Sequence, residues 1–407
     1  MIAYHFPPVG ASSGVHRTLK FSQYLAEFGW HPVVLTVAPH MYETTNSSQL
    51  EDIPEQVYVK RAWGLDIARH LSVDGRYPGW LAIPDRWSSW WLGGVFSGLR
   101  LICKFKPDVI WSTYPIASAH LIGLTLHRLT GLPWVADFRD SMVDEVFPYQ
   151  RRKRRLYLAI EKRVVHAASK VVFTAPGARC MYAERYPELP ESHWEVIANG
   201  YDEKDFAQLA VATQMRPTKD NKLRLLHSGL LYPLERDPES FFAAVAALKK
   251  ASVVGAESLE ITLRAAGHEN QFQPMIERFE VADIVFLKPP LDYKSAIKEM
   301  SEVDGLLIFQ AANCNHQIPA KLYEYLRARR PILAMTDPDG DTATLLREVK
   351  GGMQVPLDSR DAIRQGLAAF IDHLRAGTAP VVSEDVVRHY SRYSRTAMLA
   401  KILDTLA

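Results

Sequence analysis

Cysteine is scarce: Cys103, Cys180 and Cys314 are the three in 407 residues, far apart and outside any C-x-x-C spacing. That argues against a disulfide framework and against a thiolate zinc site, and makes a reducing cytoplasm the expected compartment. Excess charge is lacking too, because 48 Lys and Arg face 46 Asp and Glu for a formal net charge of +2. Without a basic surplus, nucleic acid is not an expected partner. No uncharged apolar run reaches the roughly 18 residues of a membrane span. The longest apolar region, Trp80 to Phe105, is broken by Asp85, Arg86, Arg100 and Lys104. The start, Met1-Ile2-Ala3-Tyr4-His5-Phe6-Pro7-Pro8, lacks the basic-then-apolar order of a secretory signal, and Met1 falls inside what reads as the first strand. No repeat of about 20 to 50 residues is present, which removes solenoids and propellers.

What is present is enough chain for two domains of roughly 200 residues each, with 47% hydrophobic and 23% charged residues. Short β-branched runs alternate with helical patterns, the mark of parallel strands joined by crossover helices. In the first half the expected strands are 32–37, 108–112, 134–138, 170–174 and 195–198. In the second they are 223–227, 259–265, 284–287, 305–309 and 331–335. Residues 207–221 lack a period and read as a linker. The expected architecture is therefore α/β, with two Rossmann-like doubly wound domains facing a central cleft. Expected boundaries are 1–205, 206–385 and a final amphipathic helix over 386–407. The buried side expected for that helix is Tyr390, Tyr393, Met398, Leu399 and Ile402.

Ligands of open α/β sheets sit beyond the carboxyl ends of the strands, so strand-end motifs carry the functional reading. Gly10 to Gly14 follows a short strand and feeds a helix. Two readings stand: a loop whose amides and helix dipole hold an anion, or a plain glycine turn. Ile318-Pro319-Ala320-Lys321-Leu322-Tyr323-Glu324 reads as a loop entering a helix, with Lys321 and Glu324 on one face near its positive end. That pair suits a pyrophosphate and a ribose diol, and also suits a surface ion pair. Gly229 opens a third loop in which the Arg236 fork fits a phosphate, or partners Asp237.

Three further features have competing readings. Asp337-Pro338-Asp339-Gly340-Asp341 with Glu348 imitates a calcium loop but places Thr342 where glycine is required, so no metal site is expected, and Asp341 is read as the N-cap of a helix 342–349. Arg151-Arg152-Lys153-Arg154-Arg155 together with Trp80, Trp87, Trp90 and Trp91 fits a peripheral membrane contact, or a solvated face and a packed helix.

The Gly10 to Gly14 loop, Trp134-Val135-Ala136-Asp137-Phe138-Arg139-Asp140, Asn199-Gly200-Tyr201-Asp202 with Phe206, and Lys321 to Leu326 with Pro331 occur in order, each at the end of an expected strand. In these residues the chain resembles glycosyltransferase family 4 over nearly its whole length. The resemblance implies a GT-B fold, retention of anomeric configuration, no metal or other cofactor, and a UDP- or GDP-linked sugar as donor. It implies a donor site built from Gly10, Gly14, Gly229, Arg236, His316, Ile318, Lys321 and Glu324. The implied acceptor is a glycan or a lipid-linked glycan, in cell-surface polysaccharide biosynthesis at the cytoplasmic side of the membrane. In similar proteins the last helix crosses back to the first domain. The chain departs from the family pattern at His316, where an acidic residue is usual, at Leu230, where Arg is usual, and at Arg139, where a sugar-contacting His is usual. Arginine accepts no proton at neutral pH, so Asp137 or Asp140 is the candidate to activate or orient the acceptor, and an ion-pair cluster of Asp137, Arg139 and Asp140 is the alternative. A nucleotide-sugar epimerase and a non-catalytic nucleotide-sugar-binding protein are the competing functions.

Overall fold

A computed structural model describes residues 1–10, 14–72, 74, 76–77, 79, 81–145, 147–207 and 222–407. The expected linker, apart from Ala207, lies outside the described residues, as do Trp80 and the middle of the Gly10 to Gly14 loop. The chain divides into two compact units, one of Met1–Asn199 with Arg392–Ala407 and one of Gly200–Ser391.

The first unit holds β1 (Val33–Val37), β2 (Tyr58–Ala62), β3 (Ile110–Thr113), β4 (Trp134–Arg139), β5 (Lys170–Phe173) and β6 (Trp194–Val196). Pairs β1–β2, β3–β4, β4–β5 and β5–β6 are all parallel. Ile2 bridges Leu35 of β1 on one side and Ser112 of β3 on the other, which joins the two groups into one sheet. The chain therefore starts at mid-sheet, moves outward through β1 and β2, and returns to β3 on the other side. That reversal makes the gap between Ile2 and β3 the point where ligands of such sheets sit.

The second unit repeats the plan with β7 (Leu223–Ser228), β8 (Leu259–Arg264), β9 (Val285–Lys288), β10 (Gly305–Phe309), β11 (Ile332–Met335) and β12 (Met353–Val355). Their order is β12-β11-β10-β7-β8-β9, so the reversal falls between β7 and β10. The inner strands are apolar because helices cover both faces; every residue of β10 and β11 is buried. Aromatic residues fill the interior, with Trp90, Trp134, Phe138, Phe173 and Tyr182 in the first unit and Phe241, Phe242, Phe272, Phe309 and Phe370 in the second.

The strands absent from the sequence expectation, β2 and β12, are edge strands. Each has one neighbour and is mostly half-buried, so β2 carries Lys60 and Arg61 in place of an apolar run. The division between units falls after Asn199, earlier than residue 205. Tyr201 and Phe206 are buried, and the Arg327 guanidinium of helix Ala320–Ala328 lies 5.8 and 5.1 Å from their rings.

The end of the chain is two helices, Glu384–Arg388 and Arg392–Asp404, where one was expected. The second buries Arg392, Thr396, Leu399, Ala400, Ile402 and Leu403, so Leu399 and Ile402 are inside as expected while Met398 and Tyr393 are exposed. Of the expected aromatic patch, Trp90 is core and Trp87 packs on Tyr4 with ring centroids 4.7 Å apart, so Trp91 alone among the described three is exposed. Asp341 opens the helix Asp341–Val349 and Gly340 is its cap, so Asp341 does not cap it. No helix among the described residues is long and apolar enough to cross a membrane.

Candidate functional site

In the second unit the residues converge where the strand order reverses. β7 ends in His227 and Ser228, and the chain turns at Gly229 with φ +110°, a conformation that only glycine adopts without strain. A Cβ there would lie 2.8 Å from the Lys321 Nζ, so glycine also makes room for the lysine. Directly after β10 comes buried Gln310, whose amide donates to the carbonyls of Cys314 at 2.7 Å and Gln317 at 2.9 Å. Those bonds hold the loop 311–319 that delivers Lys321 in the first turn of helix Ala320–Ala328. Ile318 is buried in that loop, and His316 is half-buried beside Gln317.

Lys321 Nζ lies 3.1 Å from His227 Nε2, and His227 Nδ1 lies 2.9 Å from the Leu307 carbonyl. Nε2 also lies 3.0 Å from the Gly229 carbonyl, so a neutral ring donates to one of two carbonyls, and the tautomer with its proton on Nδ1 leaves the Nε2 lone pair for the lysine. Burial, reinforced by Lys321, holds the His227 pKa well below the ordinary value, consistent with a neutral ring. Burial also pushes the Lys321 pKa well down; Arg236 adds to the depression and Glu324 opposes it. The Arg236 guanidinium donates to the Leu230 carbonyl at 3.0 Å, while Asp237 accepts from the Glu239 amide, so Arg236 is not Asp237's partner. Tyr293 donates to Glu324 Oε1 at 2.9 Å. Gly229, Arg236, Lys321 and Glu324 thus form one site, with His227, Gln310 and Tyr293 as members that sequence reading missed.

In the first unit Arg17 and Asp137 form a buried bidentate pair at 2.8 and 3.0 Å, with side chains 3% and 0% exposed. Thr113 adds a third donor to Asp137 at 3.2 Å. In the alternative reading of an ion-pair cluster, the hydrogen-bonded partner of Asp137 is therefore Arg17, while Arg139 feels the charges of Asp140 and Asp137. A register irregularity between Asp137 and Arg139 turns the latter to φ +57°, a left-handed conformation that costs about 1 kcal/mol in a residue with a Cβ. Arg139 then donates to the Gly14 carbonyl at 3.1 Å, and burial lowers its pKa. Asp140 is exposed at the strand end, and its charge opposes that lowering.

The loop after Asp140 is anchored from below. The Met142 amide donates to Tyr182 Oη at 2.9 Å, Tyr182 donates to the buried Glu161 carboxylate at 2.5 Å, and Arg185 donates to that carboxylate and to the Val143 carbonyl. Gly10 does not offer its amide to a ligand, because that N–H donates to the Thr44 carbonyl at 2.8 Å, and a Cβ there would meet Thr44 Oγ1 at 2.7 Å. Gly14 has ordinary helical angles and caps the helix Val15–Tyr24. Among the described residues no group of three or more His, Cys, Asp or Glu is placed to hold a metal ion.

Residues 14–200, which hold Arg17, Asp137 and Arg139, match the family described as Glycosyl transferase 4-like domain. This part of the chain is similar to a glycosyltransferase 4-like domain. No curated protein matches the sequence. Among solved structures, sucrose-phosphate synthase from Thermosynechococcus elongatus superposes with a TM-score of 0.70 at 14% identity, covering 100% of this chain and 98% of its own. HepE of Anabaena, solved in complex with UDP, gives 0.66 at 14% identity with 100% of both chains covered. The UDP-GlcNAc 2-epimerase of Neisseria meningitidis gives 0.57 at 11% identity, covering 99% and 98%. At such identities the likeness is one of fold, and the fold is GT-B, built of two Rossmann-like units.

Proposed function

We propose that the protein is a metal-independent, retaining glycosyltransferase. Its donor is a UDP- or GDP-linked sugar. Its acceptor is a glycan or lipid-linked glycan, in cell-surface polysaccharide biosynthesis on the cytoplasmic side of the membrane. The observation that carries this reading is Lys321 Nζ packed against Gly229 and His227, under the charge of Arg236, at the strand reversal of the second unit. Lys321 and Arg236 bind the diphosphate and offset the negative charge that grows on it as the sugar leaves. Glu324, oriented by Tyr293, accepts from the ribose hydroxyls. In the first unit Arg139 contacts the sugar, and Asp140 orients the acceptor hydroxyl. Asp137, held by Arg17 and Thr113, braces β4 in this reading.

Incubation with labelled nucleotide sugars and candidate acceptors tests this. Transfer that requires acceptor, survives EDTA and yields a product of unchanged anomeric configuration by NMR supports it. Turnover without acceptor identifies an epimerase, a function that the same fold carries in the Neisseria protein. Binding without turnover under every acceptor condition identifies a binding protein.

Two outcomes follow from the geometry. A diphosphate in contact with Lys321 raises a pKa that burial has depressed, so binding takes up a fraction of a proton. Affinity for UDP then increases as pH falls between the bound-state and free-state pKa values and levels off below the latter. Calorimetry in Tris and in phosphate, whose ionisation enthalpies differ, should report that uptake, and identical heats in the two buffers contradict it. Tyr293→Phe removes one hydrogen bond to Glu324, worth about 1 kcal/mol. It should raise the donor KM roughly three- to tenfold with kcat little changed, as measured by steady-state kinetics.

A further inference from the structure

One helix of the first unit carries apolar surface that its own fold leaves uncovered. Helix Trp90–Phe105 buries Trp90, Gly94, Ser97 and Gly98, and at Gly93 its backbone runs against the Trp63 carbonyl. On the opposite side Leu92 is 61% exposed and Phe96 57%; Trp91 and Phe105 lie away from this face at the helix ends, and the Trp91 indole donates to Thr125 Oγ1 at 3.0 Å. Exposed Trp63 flanks this face just beyond β2, and Tyr58 of β2 lies 4.9 Å from Phe105 ring to ring. Soluble surfaces rarely leave large apolar side chains such as Leu92, Phe96, Trp63 and Tyr58 exposed side by side without a use.

The charges on this helix have one sign. Between Trp90 and Lys106 there is no Asp or Glu, while Arg100, Lys104 and Lys106 are exposed. The cations lie over the rings: Arg100 4.1 Å from the Phe96 centroid, Lys104 4.7 Å from that of Tyr58 and 4.8 Å from that of Phe105. Aromatic rings and aliphatic stems topped by cationic heads suit the boundary between acyl chains and anionic headgroups, where rings enter and charges stay at the phosphates. A second copy of the chain would set these cations against themselves. A polyanion in solution would pair the cations and leave Leu92 and Phe96 in water.

We propose that this face of helix Trp90–Phe105 docks on an anionic lipid surface, with Leu92 and Phe96 entering the interface and Arg100 and Lys104 meeting the headgroups. It deepens the reading of a lipid-linked acceptor given above. Vesicle binding needs no transfer, so failure here and failure of the transferase reading are seen separately.

The test is co-sedimentation of the full chain with vesicles of phosphatidylcholine alone and of phosphatidylcholine with about one-third phosphatidylglycerol. Binding to the anionic vesicles is expected to be at least about tenfold tighter. Leu92→Ser/Phe96→Ser and Arg100→Glu/Lys104→Glu should each lower it about tenfold or more, with unchanged melting temperature and an unchanged thermal shift with UDP. Three results overturn the proposal: no binding to either vesicle, anionic-vesicle binding that Leu92→Ser/Phe96→Ser leaves intact, or concentration-dependent self-association that the same variant abolishes. The last result would assign the face to a second copy.

Discussion

Lys321→Ala is expected to lower kcat/KM for the donor by about 10²- to 10³-fold, the loss that follows removal of one preorganised charge-stabilising group. The same variant should fold at least as well as the wild type. In the folded chain the Lys321 pKa lies well below the ordinary value, so between that pKa and about 10.5 the unfolded chain binds more protons. The site's contribution to stability therefore rises with pH across that window, and its penalty is complete below the folded-state pKa. Alanine removes the penalty and the function together. An activity lost with an unchanged or raised melting temperature, and a thermal shift with UDP that disappears, is the signature of a group retained for its ligand. Equal donor turnover in Lys321→Ala and wild type would remove the second unit's site from the reaction.

Lys321→Arg is not expected to rescue. The Nζ sits 2.8 Å from where a Gly229 Cβ would stand and 3.1 Å from His227, a space that fits an ammonium and crowds a planar guanidinium. Gly229→Ala should act in the same direction for two reasons at once, since alanine at φ +110° is strained and its methyl meets the lysine. Steady-state kinetics on the two variants separates loss of charge from loss of space.

The inner strands were legible because a strand covered on both faces reads as an unbroken apolar run, and β10 matches its expected bounds, Gly305–Phe309. The edges were not, because β2 must present Lys60 and Arg61 to water and so resembles a loop. Lys321 and Glu324 were legible as a pair since their spacing is set within one helix. Arg17 was not: its partner Asp137 is 120 residues distant, and only the return of the chain to β4 brings them together. Asp137 and Arg139 looked like partners for the opposite reason, being near neighbours in a strand whose irregularity carries Arg139 away. His227 was missed because a buried histidine at a strand end looks like any core residue until the Lys321 amine is found on its Nε2.

The pairing of Arg17 with Asp137 leads to the largest expected change in stability. Arg17→Met leaves a wholly buried carboxylate with Thr113 as its one remaining side-chain donor, a defect that costs about 3–5 kcal/mol. At roughly 2–4 °C per kcal/mol for a domain of this size, the first unit's melting transition should fall by about 10 °C. Asp137→Leu should do comparable damage by leaving the guanidinium without its anion. Replacing both partners with apolar groups in Arg17→Met/Asp137→Leu removes the uncompensated charge and should recover most of the loss. Calorimetry of the four proteins closes the cycle, and transfer assays on the double variant decide what Asp137 is for. A double variant that regains both stability and turnover leaves Asp137 as a brace for β4. One that regains stability and stays inactive would return the carboxylate to the chemistry and overturn the assignment of the acceptor's partner to Asp140.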